Sequence, residues 1–517
     1  MRKSVIFILI LAVVLTSSMV AFAENGEEDS IVIGMGSDGN ALDPRYVTTA
    51  SGMYVSSQIF NGLLKLDKNL EYQPDLAEFE MPSDSEYVFH LKEGVYFHDG
   101  TELTAEDVKY TYESMLDPDK SSPKAGNYLN IIGAEEFNEG EADSVEGIEI
   151  IDEYTISFQL KAPHAPFLVN MNTGIVPKHL AENNKDDFEA NPVGTGPFVF
   201  ESREIDEKTV LVANDDYFEG RPNIDSVEYR IIPESAAAVI ELETGVLDVL
   251  MSVSEDDLPI IEDDDSINLA SIAGTNYNYI GFNVTNEPVD NKYLRKAIAY
   301  SLDKDSIAEH FHGTRTHVPL PGSHPWVEEF SDSTAINQYE YDMDRAQEML
   351  AEGDYDGETV TIKTSEGRQE LAQIMQQMMS SVGIDVEIEL LEWGTFYDDV
   401  VEGDAEIYLL GWYGIIDPDA YWFFHSEMTP PQGGSNRMYY SNEKADDLLI
   451  QGREEVDEEA RKAIYHDLYE VLTDDLPMIF LYSEEDSYAY RDHLEGFEAA
   501  PYPVTILKQL KNVRIVD

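Results

Sequence analysis

The chain has 517 residues, too many for one hydrophobic core, so its length predicts two or three domains. Its 33 basic and 103 acidic residues give a formal net charge of -70, which argues against nucleic acid and anionic membrane surfaces as partners. The absence of cysteine excludes disulfides, thiolate metal sites, thiol nucleophiles and a cysteine for lipid attachment.

The first residues have the pattern of a secretory signal peptide. Arg2 and Lys3 precede an apolar run from Val5 to Leu15, and Ala21-Phe22-Ala23 supplies the small residues that a signal peptidase recognises. The apolar run is too short to span a bilayer comfortably, and no later stretch is long and apolar enough to do so. We therefore expect cleavage near Ala23 and an extracytoplasmic protein, in the periplasm or at the cell surface, without a lipid anchor.

The first predicted strand covers residues 31–33 and is followed by a glycine-rich segment. Residues 34–39 read GMGSDG and formally match the GxGxxG pattern of dinucleotide-binding sites. Such a site needs a helix whose N-terminus holds the pyrophosphate, whereas residues 40–44, NALDP, break a helix. We therefore expect a loop at the edge of a cleft, followed by a helix from Met53 to Leu66.

The next part of the chain alternates strands with a capped helix. A strand over Tyr87–Leu91 leads to a helix that starts at Thr104, with Asp107 closing a capping box. A hairpin is predicted over Ile148–Leu160, with its turn at Asp152-Glu153. Elements of both kinds favour α/β or α+β lobes.

The C-terminal half contains the segment that most resembles a binding pocket. A helix is predicted to end at Gly383 in a left-handed conformation, and Ile384–Leu390 then alternates as a strand. A second strand, Ala405–Leu410, is predicted to run into a Gly-Trp-Tyr-Gly turn at residues 411–414. Aromatic side chains and acceptors at the end of a strand are typical of a small-molecule pocket, and core packing is the alternative.

Several blocks, taken in their order along the chain, resemble the family 5 extracytoplasmic solute-binding proteins, the peptide/nickel-type receptors of ABC importers. The likeness extends over nearly the whole mature chain. The blocks include YVFHLKEGVYFHDGTELTAEDVKYTY at residues 87–112, GTGPF at 194–198, NKYLRKAIAYSLDK at 291–304, and Gly411-Trp412 with Asp417-Pro418-Asp419.

The resemblance implies a mixed α/β, two-lobed hinge fold of the periplasmic-binding-protein type with an extra inserted domain. Domain I would comprise residues 24–66, 188–278 and 484–517, domain II residues 67–187, and domain III residues 279–483. The ligand would lie between domains I and III, which close on it about a hinge. The implied protein is a monomeric receptor without cofactor, whose permease and ATPase are separate chains.

The resemblance also assigns the ligand-contacting residues. Trp393 and Trp412 would line the cavity, with Tyr413 beside them, and Asn436 would face the same cleft. The segment Tyr277-Asn278-Tyr279 would hydrogen-bond the ligand backbone, and packing is the alternative for each tyrosine.

One position departs from the family pattern. Peptide receptors of the family place an aspartate three residues after the tryptophan, where it neutralises the α-ammonium of the peptide, but this chain has Ile415 there. Asp417 and Asp419 are the candidates to replace that aspartate. A peptide is the first choice of ligand, and an oligosaccharide or a metal complex is the alternative.

Four histidines are crowded into the segment HFHGTRTHVPLPGSHPW at residues 310–326: His310, His312, His317 and His324. Imidazoles this close could coordinate a transition metal. Three prolines predict an extended surface loop instead, and no spacing of carboxylate and histidine fixes a coordination geometry. We therefore expect a solvated loop and no metal site.

Catalytic motifs are absent from the sequence, which has no HExxH, GxSxG or phosphate-binding loop. We expect a binding protein and not an enzyme, with a secreted hydrolase as the remote alternative. The net charge predicts a halophilic protein, because carboxylate repulsion destabilises a compact fold unless salt screens it, and at molar salt the screening length is about 3 Å.

Overall fold

A computed structural model of the chain describes residues 29–182, 185–254, 256–502, 505 and 507–516. The predicted signal peptide and its cleavage site lie outside the described residues. Among the residues that are described, no helix is both long and apolar enough to cross a membrane.

Strands and helices alternate along the chain. The strands are β1 Ser30–Met35, β2 Leu64–Leu66, β3 Tyr72–Pro74, β4 Ala77–Ser83, β5 Glu86–Leu91, β6 Ile148–Asp152, β7 Thr155–Gln159, β8 Phe198–Glu204, β9 Lys208–Ala213, β10 Ser226–Ile231, β11 Val249–Leu250, β12 Ile267–Ala273, β13 Asn276–Phe282, β14 Gly313–Arg315, β15 Val360–Ser365, β16 Val386–Leu391, β17 Ile407–Tyr413, β18 Met478–Arg491, β19 Leu494–Glu495 and β20 Arg514–Ile515. The α-helices are α1 Ala50–Ile59, α2 Ala105–Leu116, α3 Ala134–Asn138, α4 Lys178–Ala181, α5 Lys185–Ala190, α6 Ser235–Glu243, α7 Leu258–Glu262, α8 Lys292–Ser301, α9 Lys304–His310, α10 Val327–Ser331, α11 Met343–Glu352, α12 Gln369–Ser381, α13 Trp393–Glu402, α14 Tyr421–Phe424, α15 Glu443–Glu454 and α16 Glu458–Asp475. Short 3-10 helices cover Ala125–Tyr128, Ala165–Asn172, Glu366–Arg368, Ser426–Met428, Pro430–Gln432 and Leu510–Asn512.

A mixed sheet extends through both halves of the molecule in the order β16-β15-β17-β13-β18-β11-β1-β10-β9-β8, and β12 and β14 also pair with β18. Strand β18 pairs with β13 through Met478–Tyr482 and with β12 through Glu485–Arg491. The chain therefore passes between the two halves along neighbouring strands, at residues 274–275 and near residue 484. Two adjacent crossings form a natural hinge. The division into domains I, II and III stays a prediction, with which these crossings are compatible.

Separate hydrophobic cores lie on either side of the crossings. One contains buried side chains of residues 63–175 around the antiparallel sheet β4-β5-β7-β6. A second joins α1, β1 and β10 with residues from the C-terminus. In the other half, β13 and β17 have a core on each face, with Ile280 and Leu409 on one face and Tyr279 and Leu410 on the other. The mixed α/β class is confirmed.

Predictions that depend only on residues close together in the sequence agree with the structure. Asp107 closes the capping box at Thr104, accepting its backbone N–H at 3.0 Å. Strands β6 and β7 form the predicted hairpin. Gly383 has the predicted left-handed conformation, with φ of +98°.

The helix predicted from Met53 to Leu66 is wrong at both ends. Helix α1 starts at Ala50, capped by Thr49, and stops at Ile59, and residues 64–66 form β2. At Gly62 a β-carbon would lie 2.7 Å from the backbone of Asn172. The close approach of these two backbone segments requires the chain to leave the helix before Gly62.

The predicted turn at residues 411–414 is also wrong, because β17 continues as a strand to Tyr413. Trp412 pairs with Tyr277 and Gly411 with Asn278 of β13, which satisfies the backbone of the segment in the sheet. The chain turns only at Gly414, with φ of +76°. No helix follows the GxGxxG segment until α1, in agreement with the prediction of a loop.

The histidine-rich segment is not the solvated loop that its prolines predict. Val318 and Leu320 are fully buried in the same core as Tyr277, and His324 is 5% exposed. The Thr316 hydroxyl donates to the carbonyl oxygens of Val318 and Leu320 at 2.9 Å. The prolines therefore shape a buried connection.

Candidate ligand-binding site

A cavity of about 450 Å³ lies beside the crossing strands, between the two halves of the molecule. Its walls come from α1, the segments around β11 and β12, the end of α9 and the central part of β18: Tyr54, Met251–Ser254, Leu258, Glu262, Leu269, Ser271, Phe311, His312 and Glu484–Tyr488. These lining residues include four carboxylates and neither lysine nor arginine. The cavity therefore favours a positively charged group.

Glu484 and Asp486 project from the same face of β18, because side chains alternate along a strand. Asn278 donates its Nδ2–H to Glu484 Oε1 at 2.7 Å. The Asp486 carboxylate has no hydrogen bond or ion pair within the described part of the chain, and burial and the neighbouring Glu484 raise its pKa to about 6. A cation in the cavity would supply the missing partner of Asp486.

Arg368 lies on the opposite side of Asn278. Its Nη2–H donates to Asn278 Oδ1 at 3.3 Å, and no carboxylate among the described residues forms an ion pair with it. Tyr413, which is 62% exposed, lies within electrostatic reach of Arg368, Glu484 and Asp486. Within the described residues, a guanidinium and two carboxylates without salt-bridge partners therefore lie around the Asn278 amide and the Tyr413 phenol.

Trp412 forms part of an aromatic wall beside these charges, but its ring faces are occupied by the protein. It stacks on Tyr279 with 6.2 Å between centroids and packs on Phe423 at 4.2 Å. The Arg437 guanidinium lies 4.4 Å from the indole centroid. The buried Trp412 Nε1–H has no partner within the described residues, so it is the group of this side chain that can still take an acceptor.

Trp393 is a more accessible part of the wall. It is 51% exposed at the start of α13 and stacks on Tyr397 with 5.8 Å between centroids. Arg437 donates to the Tyr397 hydroxyl at 2.9 Å and so connects the two tryptophans through one guanidinium. Arg437 therefore holds the wall in place.

Three of the predicted contact residues are buried away from the cavity. Tyr277 and Tyr279 are 0% and 1% exposed, and both pack in the core with Phe480. Asn436 is 0% exposed, so the prediction that it faces the cleft is wrong. Its Nδ2–H donates to the carbonyl oxygens of His425 and Tyr440 at 3.1 and 2.8 Å, which fixes the preceding turn.

Asp417 and Asp419, the candidates to replace the missing aspartate, already have cations. Arg461 binds both Asp417 oxygens, at 2.6 and 2.8 Å, and Arg453 donates twice to Asp419 Oδ2, at 2.7 and 3.0 Å. Burial alone would raise the pKa of Asp417, but its pairing with Arg461 outweighs burial and lowers that pKa. Neither carboxylate is free to take an ammonium group. Ile415 is half-buried at the end of β17, where its N–H donates to the carbonyl oxygen of Thr275 at 2.9 Å.

The four histidines have separate environments. His310 contacts Glu370 at 3.0 Å, and His324 Nδ1 accepts the backbone N–H of Trp326. Burial lowers the pKa values of His317 and His324 to about 4. Within the described residues, no group of three or more histidine, aspartate or glutamate side chains is placed to hold a metal ion.

The sequence patterns did not identify Arg368, Glu484 and Asp486 as candidate site residues. With 103 acidic residues in the chain, one more acidic pair carries no information. The available signal is the alternation of Glu484, Asp486 and Tyr488, which places all three on one face of a strand. Arg368 had no comparable signal, because its proximity to Asn278 depends on the fold.

Two halves joined by neighbouring strands, with a charged cavity between them, define a two-lobed protein that encloses a small molecule. The chain belongs to the bacterial extracellular solute-binding proteins, family 5 (Middle). The sequence model of that family matches residues 71–435. The family and the two-lobed fold predicted from the sequence are thus confirmed.

Individual relatives cover nearly the whole chain. The oligopeptide-binding protein AppA of Bacillus subtilis (strain 168) is 29% identical over 500 residues, which cover 91% of this chain and 89% of AppA. The structure of Bacillus subtilis AppA in complex with a nonapeptide matches with a TM-score of 0.74 and 27% identity, covering 94% of this chain and 99% of the other. The ABC transporter-associated periplasmic binding protein DppA from Helicobacter pylori, in complex with the peptide STSA, matches with a TM-score of 0.75 and 28% identity, covering 94% and 98%.

Proposed function

We propose that this protein is the extracytoplasmic receptor of an ABC importer and that its ligand is a peptide. The ligand binds between domains I and III, the lobes close on it, and the liganded form is presented to a permease. The permease and ATPase are separate chains, and the receptor has no catalytic role. Family membership and the peptide-binding relatives support this assignment.

The observation that carries the peptide assignment is the charge arrangement around Asn278. Among the residues that the structure describes, Asp486 has no cationic partner and Arg368 has no carboxylate partner, and Tyr413 lies near both. A peptide has one free ammonium and one free carboxylate, so its termini complete both pairs through charge-assisted hydrogen bonds. Asp486, with Glu484 beside it, thus takes the role that the family's aspartate has at the position of Ile415.

Isothermal titration in concentrated salt tests the role of Asp486. We expect Asp486→Asn to weaken binding of free peptides by about 10- to 100-fold, or about 1.4 to 2.7 kcal/mol, because the ammonium loses its charged partner. N-acetylated peptides, which have no ammonium, should bind wild type and variant equally. Asp263→Asn removes the same charge from an exposed site at the end of α7 and should leave affinity unchanged.

Unchanged affinity of free peptides for Asp486→Asn would contradict the assignment of the ammonium site. Binding of an oligosaccharide or a nickel complex in place of peptides would instead favour the corresponding alternative ligand. Release of a product from peptide or glycoside panels would favour the secreted hydrolase.

A further inference from the structure

A second cavity, of about 640 Å³, lies between the predicted domains II and III, and Phe423, which packs on Trp412, is one of its lining residues. Domain II contributes residues 126–130 and 161–170, and domain III contributes residues 414–423 and 453–454. Ile415 lines this cavity, one glycine after Tyr413, which lies beside Arg368. The second cavity therefore starts at Gly414, directly after Tyr413 in the chain, so a ligand bound beside Tyr413 and Arg368 can extend toward it.

Asn130 is the unusual residue of this second cavity. Both polar atoms of its side chain, Nδ2 and Oδ1, are buried and have no hydrogen-bond partner among the described residues. Its backbone is fixed, because its carbonyl oxygen accepts the N–H of Lys161 at 2.8 Å. A buried amide without partners is costly to the free protein, so the residue is better explained by a ligand that supplies those partners.

An apolar wall faces Asn130 from domain III. Trp422 in α14 is 45% exposed, and its carbonyl oxygen accepts the N–H of Ser435 at 3.0 Å. Ile415 and Phe423 continue this wall, and both are half-buried. A large aromatic face that stays partly open in a cavity offers contact area to a ligand at little cost in side-chain entropy.

Apart from Glu454, which is exposed, the charged side chains that line the second cavity are paired in the described structure. Asp417 is bound by Arg461 and Asp419 by Arg453, and at the mouth Lys161 pairs with Glu135. His164, across from Arg453, is uncharged at neutral pH because burial and the nearby guanidinium lower its pKa to about 4. The buried part of this cavity thus has paired charges, unlike the first cavity, and suits an uncharged group.

We propose that the second cavity is a subsite for an uncharged, amide-bearing segment of the ligand, with Asn130 as its specificity-determining residue. A carboxamide donates and accepts at once, so Asn130 can pair with both the C=O and the N–H of a peptide group. The adjacent side chain of the ligand packs on Trp422. This inference rests on the proposed peptide-receptor function, and it predicts that ligands longer than a dipeptide use contacts that a dipeptide does not reach.

Isothermal titration of alanine peptides of two to five residues tests the subsite. Asn130→Leu keeps the approximate size of the side chain and removes both hydrogen bonds. We expect it to bind the longer peptides about tenfold more weakly than wild type and to bind the dipeptide equally well. Asn69→Leu is the matched control, since Asn69 is exposed in the same predicted domain and lines neither cavity, and no change is expected.

A structural role for Asn130 would give a different pattern. If the amide mainly stabilised the fold, Asn130→Leu would lower the unfolding midpoint of the free protein, whereas the subsite predicts an unchanged or higher midpoint. Trp422→Ala provides a second variant, with the same expected loss limited to longer peptides. Equal losses at every length, or no loss, would overturn the subsite. Failure of the wild type to bind any peptide would instead overturn the proposed function, and the subsite with it.

Discussion

Replacing Asp486 by asparagine should stabilise the free protein at neutral pH while weakening peptide binding. Burial and the neighbouring Glu484 raise the pKa of Asp486 from its ordinary value of 3.8 to about 6, so the folded state disfavours the ionised form. The folded state holds the proton that the unfolded chain has already lost between these two values. Stability therefore falls as pH rises from about 4 to about 6, and the loss is complete above pH 6.

The size of this effect follows from the same two pKa values. A difference of about 2 pH units, at 1.36 kcal/mol per unit, corresponds to about 3 kcal/mol as an upper value. Asparagine cannot ionise, so Asp486→Asn should recover up to that amount at pH 7.5 and nothing below pH 4. Peptide binding to the wild type should tighten as pH rises to about 6, because an ammonium group needs the ionised carboxylate.

Urea unfolding in concentrated salt, at pH 3.8 and pH 7.5, measures this difference directly. The comparison is between Asp486→Asn and the exposed-site control Asp263→Asn, which should resemble wild type at both pH values. Two results would refute the claim that Asp486 is an uncompensated carboxylate in the cleft. One is an Asp486→Asn variant no more stable than wild type at pH 7.5, and the other is a variant stabilised to the same extent at both pH values.

Three further perturbations test other parts of the structure. Arg461→Met leaves Asp417 buried and unpaired, so urea unfolding should show a loss of about 3 to 5 kcal/mol. Lys462→Met removes a neighbouring cation whose partners, Glu458 and Glu459, are exposed, and should cost at most about 1 kcal/mol. Similar values for both variants would contradict a buried pair. Gly62→Ala places a β-carbon 2.7 Å from the Asn172 backbone and should cost about 1 to 3 kcal/mol, with an unchanged unfolding midpoint as the contrary result. Raising salt from dilute buffer to the molar range should raise the thermal unfolding midpoint, because ions screen the net charge of -70, and a flat curve would exclude the halophilic interpretation.

The parts of the fold that were predictable from the sequence depend on short-range interactions. Thr104 and Asp107 are three residues apart, and their capping box forms within the first turn of α2. The left-handed conformation of Gly383 likewise follows from the end of one helix and the start of one strand. The family resemblance supplied the two-lobed plan, which local patterns could not give.

The candidate site was less predictable because its pairs are distant in the sequence. Asp417 and Arg461 are 44 residues apart, so nothing near Asp417 indicates that its charge is neutralised. Asn278 and Glu484 are 206 residues apart and meet only because β18 crosses from one half to the other beside β13. Asn436 follows a glycine-rich turn that suggests exposure, but its N–H donates to the carbonyl oxygen of Met428 at 2.7 Å and the side chain points into the core.

The most direct test of the central claim is a thermal-shift screen of the protein without its predicted signal peptide, in concentrated salt, against di- to pentapeptides, oligosaccharides and nickel complexes. A ligand at 100 times its dissociation constant adds about 2.7 kcal/mol to the stability of the folded state. We predict a higher unfolding midpoint with free peptides and a smaller effect with their N-acetylated forms. A shift with oligosaccharides or nickel complexes alone, and none with peptides, would contradict the peptide-receptor account.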